Sequence, residues 1–228
     1  MGGWGEFIAA GLLFLASHAI PSMPQLKSGF VRVLGRRGWT LSFALLSTVL
    51  FFWLIFAAGR APYVELWPQT AWARWLVNIA MPVAILLGSF GVAAPNPFAF
   101  EGRAMGFDPS RPGIAGLTRQ PLLWAILIWS GAHLIANGDL AHVILFGGSG
   151  LFTLMGMRMI EARKRRLRGA EEWRRLVAHT GLVPGTALIS GRWRPRGLPA
   201  ALRLAIALAI WAALYHLHPV VIGVSPRP

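Results

Sequence analysis

Cysteine is absent from the 228 residues, which removes disulfides, thiolate metal sites, iron–sulfur clusters and covalently attached c-type haem. Any redox cofactor must be held by other ligands. Charge is sparse as well. Only 13% of the residues are charged, 55% are hydrophobic and the mean hydropathy is +0.56, which excludes an ordinary soluble domain. The sequence also lacks an internal repeat, a low-complexity tail, and any serine-hydrolase or phosphate-binding signature. No basic residue precedes the first apolar run, where Glu6 is the only charge before His18, so the run reads as a retained span rather than a cleaved signal.

What is present is a succession of apolar runs. A bilayer core of ~30 Å requires about 20 residues of helix, and runs near that length fall at 5–23, 39–58, 72–94, 121–136, 139–160 and 199–221. They predict an all-α, polytopic membrane helix bundle of about six transmembrane helices. One transmembrane domain covers 1–228, with a basic cytoplasmic segment near 161–198.

Net charge is +14, and its distribution follows membrane topology rather than a nucleic-acid footprint. Lys27, Arg32, Arg36 and Arg37 follow span one, Arg103, Arg111 and Arg119 lie between spans three and four, and ten more lie between Arg163 and Arg196. The other side carries only Arg60, Arg74 and Arg227. The positive-inside rule then puts both termini outside the cytoplasm. The run Arg163-Lys164-Arg165-Arg166-Leu167-Arg168 is a juxtamembrane segment suited to anionic membrane lipid, with no nucleic acid as partner. Residues Glu171 to Leu176 predict a short interfacial helix, before Pro184, Pro195 and Pro199 break regularity.

Local signals concern packing. Ser149, Thr153 and Gly156 share one side of span five, where a neighbouring helix can approach closely. Asn137-Gly138 suits a helix C-terminus and Asp139 the cap of the next helix. Pro121 fits a first helical turn, and Asn78 with Pro82 marks a kink of structural role.

Histidine carries the remaining chemistry. His18 and His133 lie inside spans, His142, His216 and His218 near outer ends of spans, and His179 in the cytoplasmic segment. A polar ring inside hydrocarbon needs a partner and is a functional candidate. Two neutral imidazoles from different helices, among tryptophan and phenylalanine, are what a non-covalent haem iron requires. A packing role for either is the alternative. Counting 1.5 Å per residue, His18 falls ~6 Å to the cytoplasmic side of its span's centre and His133 ~8 Å to the outer side of its own. A haem held by both would be tilted, and His142 or His216 is the next partner for His133. His216-Leu217-His218 lacks a carboxylate and puts its rings on different faces, so it reads as an interfacial anchor, not a metal site.

An ordered set of short motifs resembles the NnrU family of integral membrane proteins. It comprises Ser17-His18, Leu34-Gly35, Gly38-Trp39, Ala61-Pro62, Leu66-Trp67, Pro95-Asn96-Pro97, Thr118-Arg119-Gln120-Pro121, Ala132-His133-Leu134 and Asn137-Gly138-Asp139. The resemblance covers most of the chain. It implies a multi-pass protein of the bacterial inner membrane with a redox, isomerase-like or accessory role linked to nitrite and nitric oxide reduction, that is, to denitrification. The family is similar to zeta-carotene isomerases, which bind haem b through two histidines. That similarity implies haem b as cofactor, His18 and His133 as ligands of the haem iron, and a possible hydrophobic small-molecule substrate. The isomerases carry a cysteine three residues before the second histidine, where Ser130 stands here.

A second resemblance competes. Arg119-Gln120-Pro121, then Arg158 to Ala162, then Leu182-Val183-Pro184 look like isoprenylcysteine carboxyl methyltransferases, with Gln120 in place of a histidine and Ala162 in place of a second glutamate. The plainer reading is a polar cluster of Arg119, Arg158 and Glu161 at the membrane interface. A non-enzymatic membrane assembly factor is the third class.

Overall fold

A computed structural model describes residues 3–228, apart from the side chain of Ser22. The apolar runs become helices because only internal backbone pairing satisfies N–H and C=O groups in hydrocarbon. The chain forms α1 (Trp4–Ala19), α2 (Pro24–Arg60), α3 (Ala71–Gly91), α4 (Ile114–Leu117), α5 (Pro121–Ala136), α6 (Leu140–Arg168), α7 (Ala170–Val177), α8 (Thr186–Ile189) and α9 (Ala201–Val221). No β-strand occurs among the described residues.

Four helices, α2, α3, α6 and α9, are long and apolar enough to cross a membrane. The apolar α1 and α5 have 16 residues each and fall short of that length. The span expected at 39–58 is one arm of the 37-residue α2, bent at Gly35, whose φ of 69° is left-handed and open to glycine. Pro82 lies within α3, which runs on through it.

Contacts divide the chain into two units. The first takes the chain up to Pro68 with Gly138–Leu145. There α1 runs antiparallel to the second arm of α2. Glu6 accepts from Trp53 Nε1 at 3.0 Å and pairs with Arg60, Phe14 packs on Phe51 at 5.5 Å, and His18 meets Ser47. The segment after α2 docks on Gly138, whose carbonyl accepts the N–H groups of Leu66 (2.7 Å) and Trp67 (3.1 Å). A Cβ at Gly138 would lie 1.8 Å from the Trp67 carbonyl oxygen. Close backbone approach therefore demands this glycine, and α5 ends just before it, with Asn137 as its C-cap, as Asn137-Gly138 predicts. Asp139 does cap α6, accepting the His142 N–H at 3.2 Å.

The second unit is Gln69–Asn137 with Phe146–Pro228. In it α3 packs on α5 and α9. The Arg203 guanidinium donates to the Ser89, Phe90 and Val92 carbonyls at 2.9–3.1 Å, satisfying the end of α3. Asn78 donates to the Pro226 carbonyl at 2.8 Å, a structural role as expected. On α6, Thr153 is buried, but a Cβ at Gly156 would meet open space. Close approach to α5 occurs instead at Gly150, where a Cβ would lie 3.3 Å from Ser130 Oγ. The predicted interfacial helix is α7. It turns Trp173 and Leu176 into a core with Phe98 and Ala115, burying them against protein.

Candidate functional site

His18 occupies the last turn of α1 and is half-buried. Its Nδ1 lies 2.8 Å from the Phe14 carbonyl oxygen. A carbonyl only accepts, so Nδ1 is the donor in this contact and Nε2 is the nitrogen left for a metal. Ser47 Oγ, from α2, stands 3.2 Å from that Nε2. Phe14 and Phe43 pack around the ring, with centroids at 4.3 and 5.4 Å.

His133 repeats the pattern in the other unit. Its Nδ1 lies 2.9 Å from the Trp129 carbonyl oxygen, one helical turn earlier, which again leaves Nε2 as the acceptor nitrogen. Trp129 and Phe146 pack on the ring with centroids at 5.4 and 5.1 Å. A histidine ligand is commonly fixed in this way, by a bond from its other ring nitrogen. The chemistry of the two donors fits a haem iron: both are imidazole nitrogens set among aromatic rings.

Of the other histidines, His179 and His218 also set Nδ1 on a backbone carbonyl, but without paired aromatic packing among the described residues. His142 Nδ1 pairs with the Asp139 carboxylate at 2.7 Å, His179 with the Arg192 carbonyl at 2.7 Å, and His218 with the Val224 carbonyl at 2.7 Å. His216 is exposed. No group of three His, Asp or Glu able to hold a metal ion occurs among the described residues.

A polar cluster in the second unit gathers two of the motifs. Asn96 Nδ2 donates to the Arg119 carbonyl at 3.0 Å, and Asn96 Oδ1 accepts the Phe98 N–H at 3.0 Å. Thr118 Oγ1 and Trp124 Nε1 donate to the Leu182 carbonyl at 2.8 and 2.9 Å. The Arg119 guanidinium forks onto Glu161 at 3.0 and 3.1 Å, donates to Thr180 Oγ1 at 3.0 Å, and lies 5.8 and 5.9 Å from the centroids of the Phe98 and Trp173 rings. Gln120, fully buried, donates to the Phe98 carbonyl at 3.3 Å. Arg158, expected with this group, is exposed on α6. From the basic run, Lys164 and Arg168 turn inward to the Pro97 carbonyl at 3.0 and 3.3 Å, while Arg163, Arg165 and Arg166 stay exposed.

Two contributors carried little signal. Ser47 was one of four hydroxyls in an apolar run, with Thr40, Ser42 and Thr48. Glu101 stood in an unpatterned loop, yet its Oε1 accepts the Leu122 N–H at the start of α5 at 3.1 Å. Burial pushes the Glu101 carboxyl up from its usual value.

All-helical among the described residues, with four helices of membrane-crossing length, the chain is a polytopic membrane protein. It belongs to the NnrU family: the family profile, described as NnrU protein, matches residues 6–226. No curated protein and no solved structure matches it.

Proposed function

We propose that this NnrU-family protein binds haem b, with His18 and His133 as the iron ligands, and serves a redox, isomerase-like or accessory role linked to nitrite and nitric oxide reduction in the bacterial inner membrane. The observation that supports this most is the shared setting of the two rings. Each lies in an apolar helix with Nδ1 on the carbonyl four residues earlier and aromatic rings packed against it. Bound haem would supply one-electron chemistry.

The chain's own contribution is orientation and water exclusion. The Phe14 and Trp129 carbonyls hold the tautomers, and Phe43 and Phe146 pack against the rings. Ser47 stands at the Nε2 position of His18 and would have to turn aside for iron to bind there. The test is an absorption spectrum of protein purified in detergent from haem-replete cells, before and after dithionite. A Soret band with sharp reduced α and β bands is expected. Complete absence of haem would put the accessory and methyltransferase roles ahead.

A further inference from the structure

A cleft of about 940 Å³ opens where the end of α3 meets the start of α9. One wall is apolar, formed by Leu86, Leu87 and Phe90 of α3 and Leu204 of α9. The rim is cationic, with Arg111, Arg194 and Arg196. Arg192 also lines it, but its guanidinium is consumed by the loop, donating to the Ala178 and Thr180 carbonyls at 3.4 and 3.2 Å and to Ser190 Oγ at 2.9 Å. Arg111 lies beside Asp108. Arg194 and Arg196 differ: both are exposed, and neither donates a hydrogen bond or forms an ion pair among the described residues. Trp193, which precedes them, is packed so tightly on Gly116 that a Cβ there would meet its Nε1.

We propose that this cleft binds one anionic phospholipid, its phosphate at Arg194 and Arg196 and an acyl chain along Leu86, Leu87, Phe90 and Leu204. Three observations support that occupant. Both α3 and α9 are of membrane-crossing length, so their adjoining ends lie where headgroups meet acyl chains. Two unmatched guanidinium groups complement a phosphate, and a zwitterionic headgroup brings an opposing cation. Trp193 has the amphipathic ring favoured at headgroup level. A free anion would leave the apolar wall without a use. The proposal involves neither His18 nor His133 and stands apart from the haem assignment.

Native mass spectrometry of the full chain in non-ionic detergent tests it, titrating phosphatidylglycerol and phosphatidylcholine of identical chains. Wild-type protein is expected to retain one phosphatidylglycerol about tenfold more tightly than phosphatidylcholine. The double variant R194Q/R196Q should lose that preference, whereas R163Q/R165Q, changed outside the cleft, should keep it. Leu204→Trp should weaken phosphatidylglycerol with the arginines intact, by filling the chain's path. Equal retention of the two lipids by wild-type protein would overturn the proposal, as would an unchanged preference in R194Q/R196Q. Displacement by glycerol 3-phosphate at the lipid's own concentration would overturn it too, revealing an anion site indifferent to acyl chains.

Discussion

Arg119 grips Glu161 at two points, Nε to Oε1 at 3.0 Å and Nη2 to Oε2 at 3.1 Å, with only 13% and 14% of the two side chains exposed. The fork is spent on one partner, and its remaining Nη1 goes to Thr180. Removing one member strands the other in a largely dry site. Arg119→Ala should therefore lower stability by about 3 kcal/mol, read by thermal unfolding in detergent. Arg119→Lys, which keeps the charge and loses the fork, should recover only part of it.

The same occupancy bears on methyl transfer. A cofactor's carboxylate would have to displace Glu161 from a pair that is already satisfied, and Gln120 is buried among protein groups. Calorimetry with S-adenosylmethionine at micromolar concentration should give no binding. Saturable binding that disappears in Arg119→Ala would reverse the ranking of the two functions.

Glu101 predicts a pH dependence. Burial lifts its carboxyl above the usual 4.5, so the folded chain holds this proton more tightly than the unfolded chain does. Its stabilising contribution is thus complete below the unfolded value and is lost as pH rises through the higher folded value. Glu101→Gln keeps an oxygen for the Leu122 N–H and removes the titration. Melting curves between about pH 4.5 and 8 should show wild type gaining stability on acidification relative to the variant. Parallel curves would defeat the assignment.

The helices were legible because apolar runs have only one way to satisfy their backbone in hydrocarbon, and the caps at Pro121 and Asp139 were readable for the same local reasons. The motifs were legible only as a string. In space Pro95-Asn96-Pro97 meets Thr118-Arg119-Gln120, and Leu66-Trp67 meets Gly138. Those pairings are long-range, and nothing at either residue announces them. Ser47 at His18 was hidden for that reason, being 29 positions away. The fate of Trp173 was hidden differently. An amphipathic helix reads alike whether its apolar face meets lipid or, as in α7, a protein core with Phe98.

Topology gives the next prediction. Loop Lys and Arg divide seventeen to three if α1 and α5 cross the membrane together with the four longer helices. If those two 16-residue helices did not cross, the ten basic residues from Arg163 to Arg196 would fall opposite the seven from Lys27 to Arg119. Reporter fusions after residues 30, 110 and 180 should therefore all report cytoplasm, and fusions at 65 and 228 the outer side. Opposite reports at 110 and 180 would show that α5 does not cross, because α5 and α6 are the only long apolar helices that separate those positions.

The haem ligands provide the last prediction. His18→Ala and His133→Ala should each remove low-spin haem character, because each deletes one Nε2 donor from a ring held by its Nδ1 bond. His179→Ala should leave the spectrum unchanged, since its ring is exposed and bound to the Arg192 carbonyl. Ser47→Ala separates ligation from packing. If Ser47 merely satisfies a structural histidine, its loss strands Nε2 and destabilises the protein by about 1 to 3 kcal/mol with no spectral change. If it yields to iron, the variant should bind haem at least as tightly as wild type and keep the α and β band positions. Histidine variants that retained wild-type haem content and bands would end the assignment, and His142 and His216 would be the next positions to vary.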